Sequence, residues 1–122
     1  MMEMKRVKRK FHMWESELVK VDKGVYDKLD REGILVLITI YELEKRGVRE
    51  PLITTVSKSA PLSTSAFFRV VNTLIQLGLI EEEVTYTGGQ RHRKLKLTDL
   101  GREIAELLIK VRDLYRERKG QN

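Results

Sequence analysis

The 122-residue chain contains no cysteine, which excludes disulfides, thiolate catalysis and cysteine-ligated zinc or iron–sulfur centres together. Its two histidines, His12 and His92, stand far apart and in no metal-ligand spacing. A glycine-rich phosphate loop is absent, as is a Gly-x-Ser-x-Gly nucleophile turn. The run Glu81, Glu82, Glu83 does not replace them. Strand alternation sends its middle side chain to the opposite face, whereas a hard cation needs several oxygens converging on one point. With no catalytic constellation, the chain reads as a non-enzyme with no metal or other cofactor. The longest apolar run, Ile34 to Ile38, is too short to span a membrane, and the basic N-terminus is not followed by the apolar core of a signal peptide. A cytoplasmic protein with no membrane partner is expected.

What is abundant is charge. The formal net charge of +6 is unevenly spread. The first ten residues carry five bases against one acid, and Thr87 to Lys96 carries four bases and no acid. Such local excess favours a polyanionic partner more than a high average does. The length suits one compact domain with extensions. The expected division is a basic arm over residues 1–12, a domain over 13–97, and a C-terminal helix and tail over 98–122. The arm reads either as a solvated tail or as a segment lying along phosphates or in a minor groove.

Periodicity orders the remainder. From Met13 to Leu29, the positions Trp14, Leu18, Val21, Val25 and Leu29 recur at helical steps, with a break expected near Gly24. Asp30 is placed to cap a second helix whose apolar residues Ile34, Leu35, Leu37, Ile38 and Tyr41 mark it as the centre of the core; Gly47 stops it, and Glu42 and Arg46 sit four apart on its outer face. Pro51 suits a short edge strand or turn. Ile53, Val56 and Ala60 outline a short third helix, intrinsically poor in propensity, that Pro61 ends. Ser63 caps the next helix, Ser63 to Leu77, with Phe67, Val70, Val71, Leu74 and Leu77 inward. Thr64, Ser65, Phe68, Arg69, Asn72, Thr73 and Gln76 face outward and include one cation and no acid, which suits a polyanion better than a merely solvated face. Strands are expected at Leu79 to Tyr86 and Arg93 to Leu97, joined by a loop from Thr87 to His92. A long helix follows Thr98, its charges ordered to complement the helix dipole. Its residues Leu100, Ile104, Leu107, Leu108, Val111, Leu114 and Tyr115 form a coiled-coil-like seam that calls for a partner helix from a second subunit.

The segment Leu62-Ser63-Thr64-Ser65 through Leu74-Ile75-Gln76-Leu77-Gly78-Leu79-Ile80 is similar to the Leu-Ser-x-Ser start and Leu-x-x-Leu-Gly-Leu-Ile end of a recognition helix. Leu97-Thr98-Asp99-Leu100-Gly101-Arg102 is similar to the Leu-Thr-x-x-Gly-Arg that leads from a wing into a dimerisation helix. From about Asp30 to Leu107, some two thirds of the chain, the sequence thus resembles the winged helix-turn-helix of the MarR and PadR regulators. The motifs are specific to that superfamily rather than to one regulator. Pro61 departs from the glycine often found in the turn, and Phe68 is an aromatic where small or polar side chains are common.

The resemblance implies a mainly α fold with a small β-hairpin (α+β), a winged helix-turn-helix with a long C-terminal dimerisation helix. It implies a homodimer on double-stranded DNA, regulating transcription, with repression as the expected mode. The helix from Ser63 would enter the major groove, with Thr64, Ser65, Arg69, Asn72 and Thr73 at phosphates or base edges; Arg69 would prefer guanine and Asn72 adenine. Phe68 would touch a thymine methyl or else pack sideways against the short helix. Gln90, Arg91, His92 and Arg93 would lie along the backbone or minor groove, with Lys58 as a further phosphate contact. Ile104, Leu107, Leu108, Val111, Leu114 and Tyr115 would pair two subunits. Two other readings stay open: a protein-interaction module in a transcription or replication assembly, and an architectural protein without sequence preference. The sequence names no small-molecule effector.

Overall fold

A computed structural model describes residues 20–120. The basic arm, Trp14 and Leu18 lie outside the described residues. Of the helix expected from Met13 to Leu29, the described part is a single short helix, α1 (Lys23–Lys28), which contains Gly24 rather than breaking there. Val21 and Val25, expected on a packed face, are exposed, and α1 buries no residue. Only Leu29, at its end, reaches the core.

Helix α2 (Arg31–Lys45) starts where Asp30 accepts a hydrogen bond from the Gly33 amide at 3.0 Å, satisfying one of the orphan donors of the first turn. Val36, Leu37 and Ile40 are fully buried on it. Glu42 does not find its partner on its own helix: its carboxylate accepts from Arg112, 3.1 Å away. After Glu50, whose φ of 48° turns the chain sharply, Leu52 bridges to Lys94 on the hairpin. There the Pro51 carbonyl accepts from the Leu95 amide at 2.9 Å. Proline serves this edge because only its carbonyl is needed.

Helices α3 (Ile53–Ser59) and α4 (Thr64–Gln76) follow. The short, β-branched α3 is held by tertiary burial of Ile53 and Val56. Ser63 caps α4 through the Ala66 amide at 3.2 Å, and α4 buries Phe67, Val70, Val71 and Leu74. Strands β1 (Ile80–Thr87) and β2 (Gln90–Leu97) form one antiparallel hairpin, with Ile80 opposite Leu97 and Thr87 opposite Gln90. The expected six-residue loop shrinks to a two-residue turn, because Gly88 and Gly89 both take positive φ, 59° and 80°. That is the backbone a tight hairpin turn of matching twist demands.

Helix α5 (Asp99–Gly120) spans 22 residues, about 33 Å at the usual rise. Thr98 fixes its start from both sides: its hydroxyl accepts from the Gly101 amide at 3.0 Å and donates to the Gly78 carbonyl at 2.7 Å. Arg102 reaches Glu44 at 2.8 Å and Arg112 reaches Glu42, tying α5 to α2 at two points. Helix α2 touches α3, α4, α5 and β2, so it is the centre of the molecule. The architecture is an α+β winged helix with a long C-terminal helix.

Candidate nucleic-acid interface

The buried side of α4 is fixed by Phe67, Val70, Val71 and Leu74. At 3.6 residues per turn the opposite side centres on Ser65, Arg69, Asn72 and Gln76, all exposed. Thr64 is exposed as well, and no acidic residue occurs anywhere on the helix. The two flanks of this face differ. On one, Arg69 lies 3.2 Å from the Glu32 carboxylate at the start of α2, while most of its side chain stays in solvent. Thr73 is half-buried and its hydroxyl donates to the Arg69 carbonyl at 3.2 Å, leaving lone pairs but no free donor. On the other flank stands Phe68, half-buried. Its ring meets Phe67 edge-on at 5.3 Å, and the Arg93 guanidinium lies 5.8 Å from its centroid. Phe68 thus packs sideways on Phe67 and faces Arg93 of the hairpin.

Strand alternation sorts the hairpin into two faces. One carries Ile80, Glu82, Val84 and Tyr86 on β1 with Arg91, Arg93, Leu95 and Leu97 on β2. It begins in the core at Ile80, Leu95 and Leu97 and ends in solvent at Tyr86, 72% exposed. The other carries Glu81 opposite Lys96, Glu83 opposite Lys94, Thr85 opposite His92 and Thr87 opposite Gln90. Opposite charges therefore face each other across the strands at two rungs. On the first face Glu82 hydrogen-bonds Arg93. That bond, with a smaller charge contribution, holds the Glu82 carboxyl below its ordinary value against the opposing effect of burial, and raises Arg93.

This arrangement changes the expected site. Gln90, Arg91 and His92, expected in the loop, lie on β2 with Arg93, and along it the four alternate, Arg91 and Arg93 on one face and Gln90 and His92 on the other. Of the two arginines, Arg93 is occupied by Glu82 and Phe68, whereas Arg91 is exposed at the tip. Lys58 is exposed on α3. Three relevant residues escaped sequence reasoning: Glu32 and Glu82, whose partners lie 37 and 11 residues away, and Tyr86. Tyr86 shares its face with Arg91, since the register about the Gly88-Gly89 turn sets the two opposite each other.

The seam on α5 also divides. Ile104 and Leu108 are half-buried against the core, while Leu107, Val111, Leu114 and Tyr115 are between 54% and 64% exposed. Apart from this ridge, a cavity of about 500 Å³ lies beside Tyr41, Arg49, Lys96 and Arg102, lined by charges of both signs. Among the described residues no group of three or more histidines or acids could hold a metal ion, and no helix is long and apolar enough to cross a membrane.

Residues 20–115 match the family model for the ArnR1-like winged-helix domain. No curated protein sequence matches significantly. Several solved structures share the fold. AF1382 from Archaeoglobus fulgidus is 21% identical, with a TM-score of 0.61, over 70% of this chain and 89% of that one. The protein smu.1704 of Streptococcus mutans is 18% identical, with a TM-score of 0.58, over 69% of this chain and 81% of that one. A Porphyromonas gingivalis protein assigned to the MarR family of transcriptional regulators is 17% identical, with a TM-score of 0.58, over 89% of this chain and 98% of that one.

Proposed function

Because the chain belongs to the family of ArnR1-like winged-helix domains, we propose that it is a sequence-specific regulator of transcription, acting as a homodimer on double-stranded DNA in the cytoplasm. It is not an enzyme, and it represses by occupying a promoter. Helix α4 reads the major groove, and the hairpin tip follows the backbone or minor groove. The observation that carries this reading is the acid-free outward face of α4, with Ser65, Arg69, Asn72 and Gln76 exposed between the Glu32 and Arg93 flanks. A solvated face usually mixes charges of both signs; this one offers donors, acceptors and a single cation that can leave its surface ion pair at little cost. Thr64 and Ser65, at the helix start, suit phosphates or base edges. Leu107, Val111, Leu114 and Tyr115 cover one another across a two-fold axis, which presents two α4 helices to successive major grooves.

Selection of bound duplexes from a random pool tests the reading; a pseudo-palindromic motif is expected, and recovery of no duplex at low salt would remove it. Within that motif Arg69→Ala relaxes the preferred base at one position of each half-site, a change of about 1–3 kcal/mol in discrimination. Arg91→Ala instead weakens all sequences alike and lowers the salt slope by about one per half-site. Fluorescence anisotropy across salt separates the two. Equal, sequence-blind losses would dissolve the division of labour.

A further inference from the structure

Arg93 has the charge of a phosphate ligand, yet its contacts turn it inward. Its guanidinium hydrogen-bonds Glu82 on the neighbouring strand and lies 5.8 Å from the Phe68 ring centroid on α4. Phe68 is itself braced edge-on against the fully buried Phe67. Glu82 and Arg93 side chains are only 20% and 31% exposed, less than Arg69 at 63%. The cluster sits where the hairpin leaves the core: Leu95 and Leu97 below it are buried, and Val84 and Tyr86 above it are exposed. Arg93 thus links the hairpin to α4 at the level where that face passes from buried to exposed, and its contacts bear on the direction of the residues further out.

We propose that Glu82, Arg93 and Phe68 form a strut that fixes the angle between the hairpin and helix α4, and that Arg93 is a positioning residue rather than a DNA ligand. The strut aims Tyr86 and Arg91, the outer residues of the same face, so that the hairpin and α4 engage one duplex together. A guanidinium suits this place better than an ammonium, because its planar fork holds a carboxylate in a fixed geometry while its face is free to meet a ring. Glu82 has the opposite of the role its charge suggests. Near a polyanion, removing a carboxylate strengthens binding; if that carboxylate holds the strut, removing it weakens binding.

The DNA consequence rests on the reading given under Proposed function, so the test has two arms. In the first, the full chain and its E82Q, R93Q, R93K and E82Q/R93Q variants bind a labelled mixed-sequence duplex across salt, with thermal melting as the control for folding. E82Q, R93Q and R93K are expected each to weaken binding about tenfold, the order of one charge-assisted hydrogen bond. The double variant loses no more than either single change, and the salt slope stays at the wild-type value. Tighter binding by E82Q, or a slope reduced by about one per half-site in R93Q, would overturn the strut and make Arg93 a phosphate ligand. In the second arm no DNA is used. Because the chain has no cysteine, Q76C and T87C, at exposed positions on α4 and the hairpin tip, accept spin labels without competition. The distance distribution between them is expected to broaden in E82Q and R93Q. An unchanged distribution would overturn the strut whether or not the protein binds DNA. A wild-type chain that ignores duplex at low salt while the distribution still broadens would remove the functional reading and leave the strut standing.

Discussion

Gly101 shows how little room one residue can have. A Cβ built there would lie 1.9 Å from the Leu79 carbonyl oxygen, and that carbonyl is already engaged by the Thr98 amide at 3.1 Å. The two segments that looked like separate motifs, Leu77-Gly78-Leu79 and Leu97-Thr98-Asp99-Leu100-Gly101, are in this way one contact: Thr98 bonds the Gly78 carbonyl and Gly101 lies on Leu79. Gly101→Ala therefore forces α5 away from the end of α4. Chemical denaturation is expected to show a loss of about 3 kcal/mol or more, at the upper end for overpacking because the obstacle is backbone and cannot rotate aside. A loss under about 0.5 kcal/mol would show that α5 accommodates the methyl. The sequence displayed both motifs but not their meeting, since 20 residues separate Gly78 from Thr98.

At the scale of elements, the helices were largely legible and the hairpin was half legible. Asp30 and Ser63 cap where local chemistry puts them, and α3 ends before Pro61 as expected. The apolar face of α4 was read residue by residue as far as Leu74, because a 3.6-residue period leaves little freedom. Helix α1 failed on the same signal: Val21 and Val25 have the spacing of a packed face, but spacing does not supply a surface to pack on. In the hairpin, three glutamates and four bases looked like an acidic stretch followed by a basic tip. Register sets Glu81 opposite Lys96 and Glu83 opposite Lys94, and Glu82 meets Arg93 diagonally across the strands. The pair on the inner face has a pH signature. Arg93's hydrogen bond lowers the Glu82 carboxyl, so its contribution is present above the ordinary glutamate range and is lost as pH falls through the lowered value. Acidification should thus lower the melting temperature of the wild type more than that of Glu82→Gln, which lacks this component. Parallel curves for the two proteins would assign the acid sensitivity to other carboxylates.

For the whole molecule, the ridge on α5 is the feature a single chain leaves unfinished. Leu107, Val111 and Leu114 repeat at steps of four and three on a helix of 22 residues whose inner side is spent on α2 and β2. Five large apolar side chains, with Leu100 and Tyr115, stand more than half exposed, a patch of the kind that covers an interface. In the proposed homodimer, Val111→Glu puts two carboxylates into that seam. Light scattering is expected to find monomers, and half-site binding should then replace binding to the full site. Ile104→Glu is the poorer probe, since Ile104 also packs on the core and its loss would unfold as well as separate. A Val111→Glu chain that stays dimeric would move the contact elsewhere on the surface.

What the sequence by itself determined is what local chemistry and periodicity determine: the caps at Asp30 and Ser63, the inward face of α4, and through its two motifs the winged-helix fold. Tertiary structure decided which charges are available. Arg69, Arg91 and Arg93 are alike in sequence, yet one is loosely paired across 37 residues, one is exposed at a strand end, and one is enclosed by a carboxylate and a ring. A side chain's type fixes its charge; its partners, brought together only by folding, fix whether that charge is offered to a ligand or used within the protein.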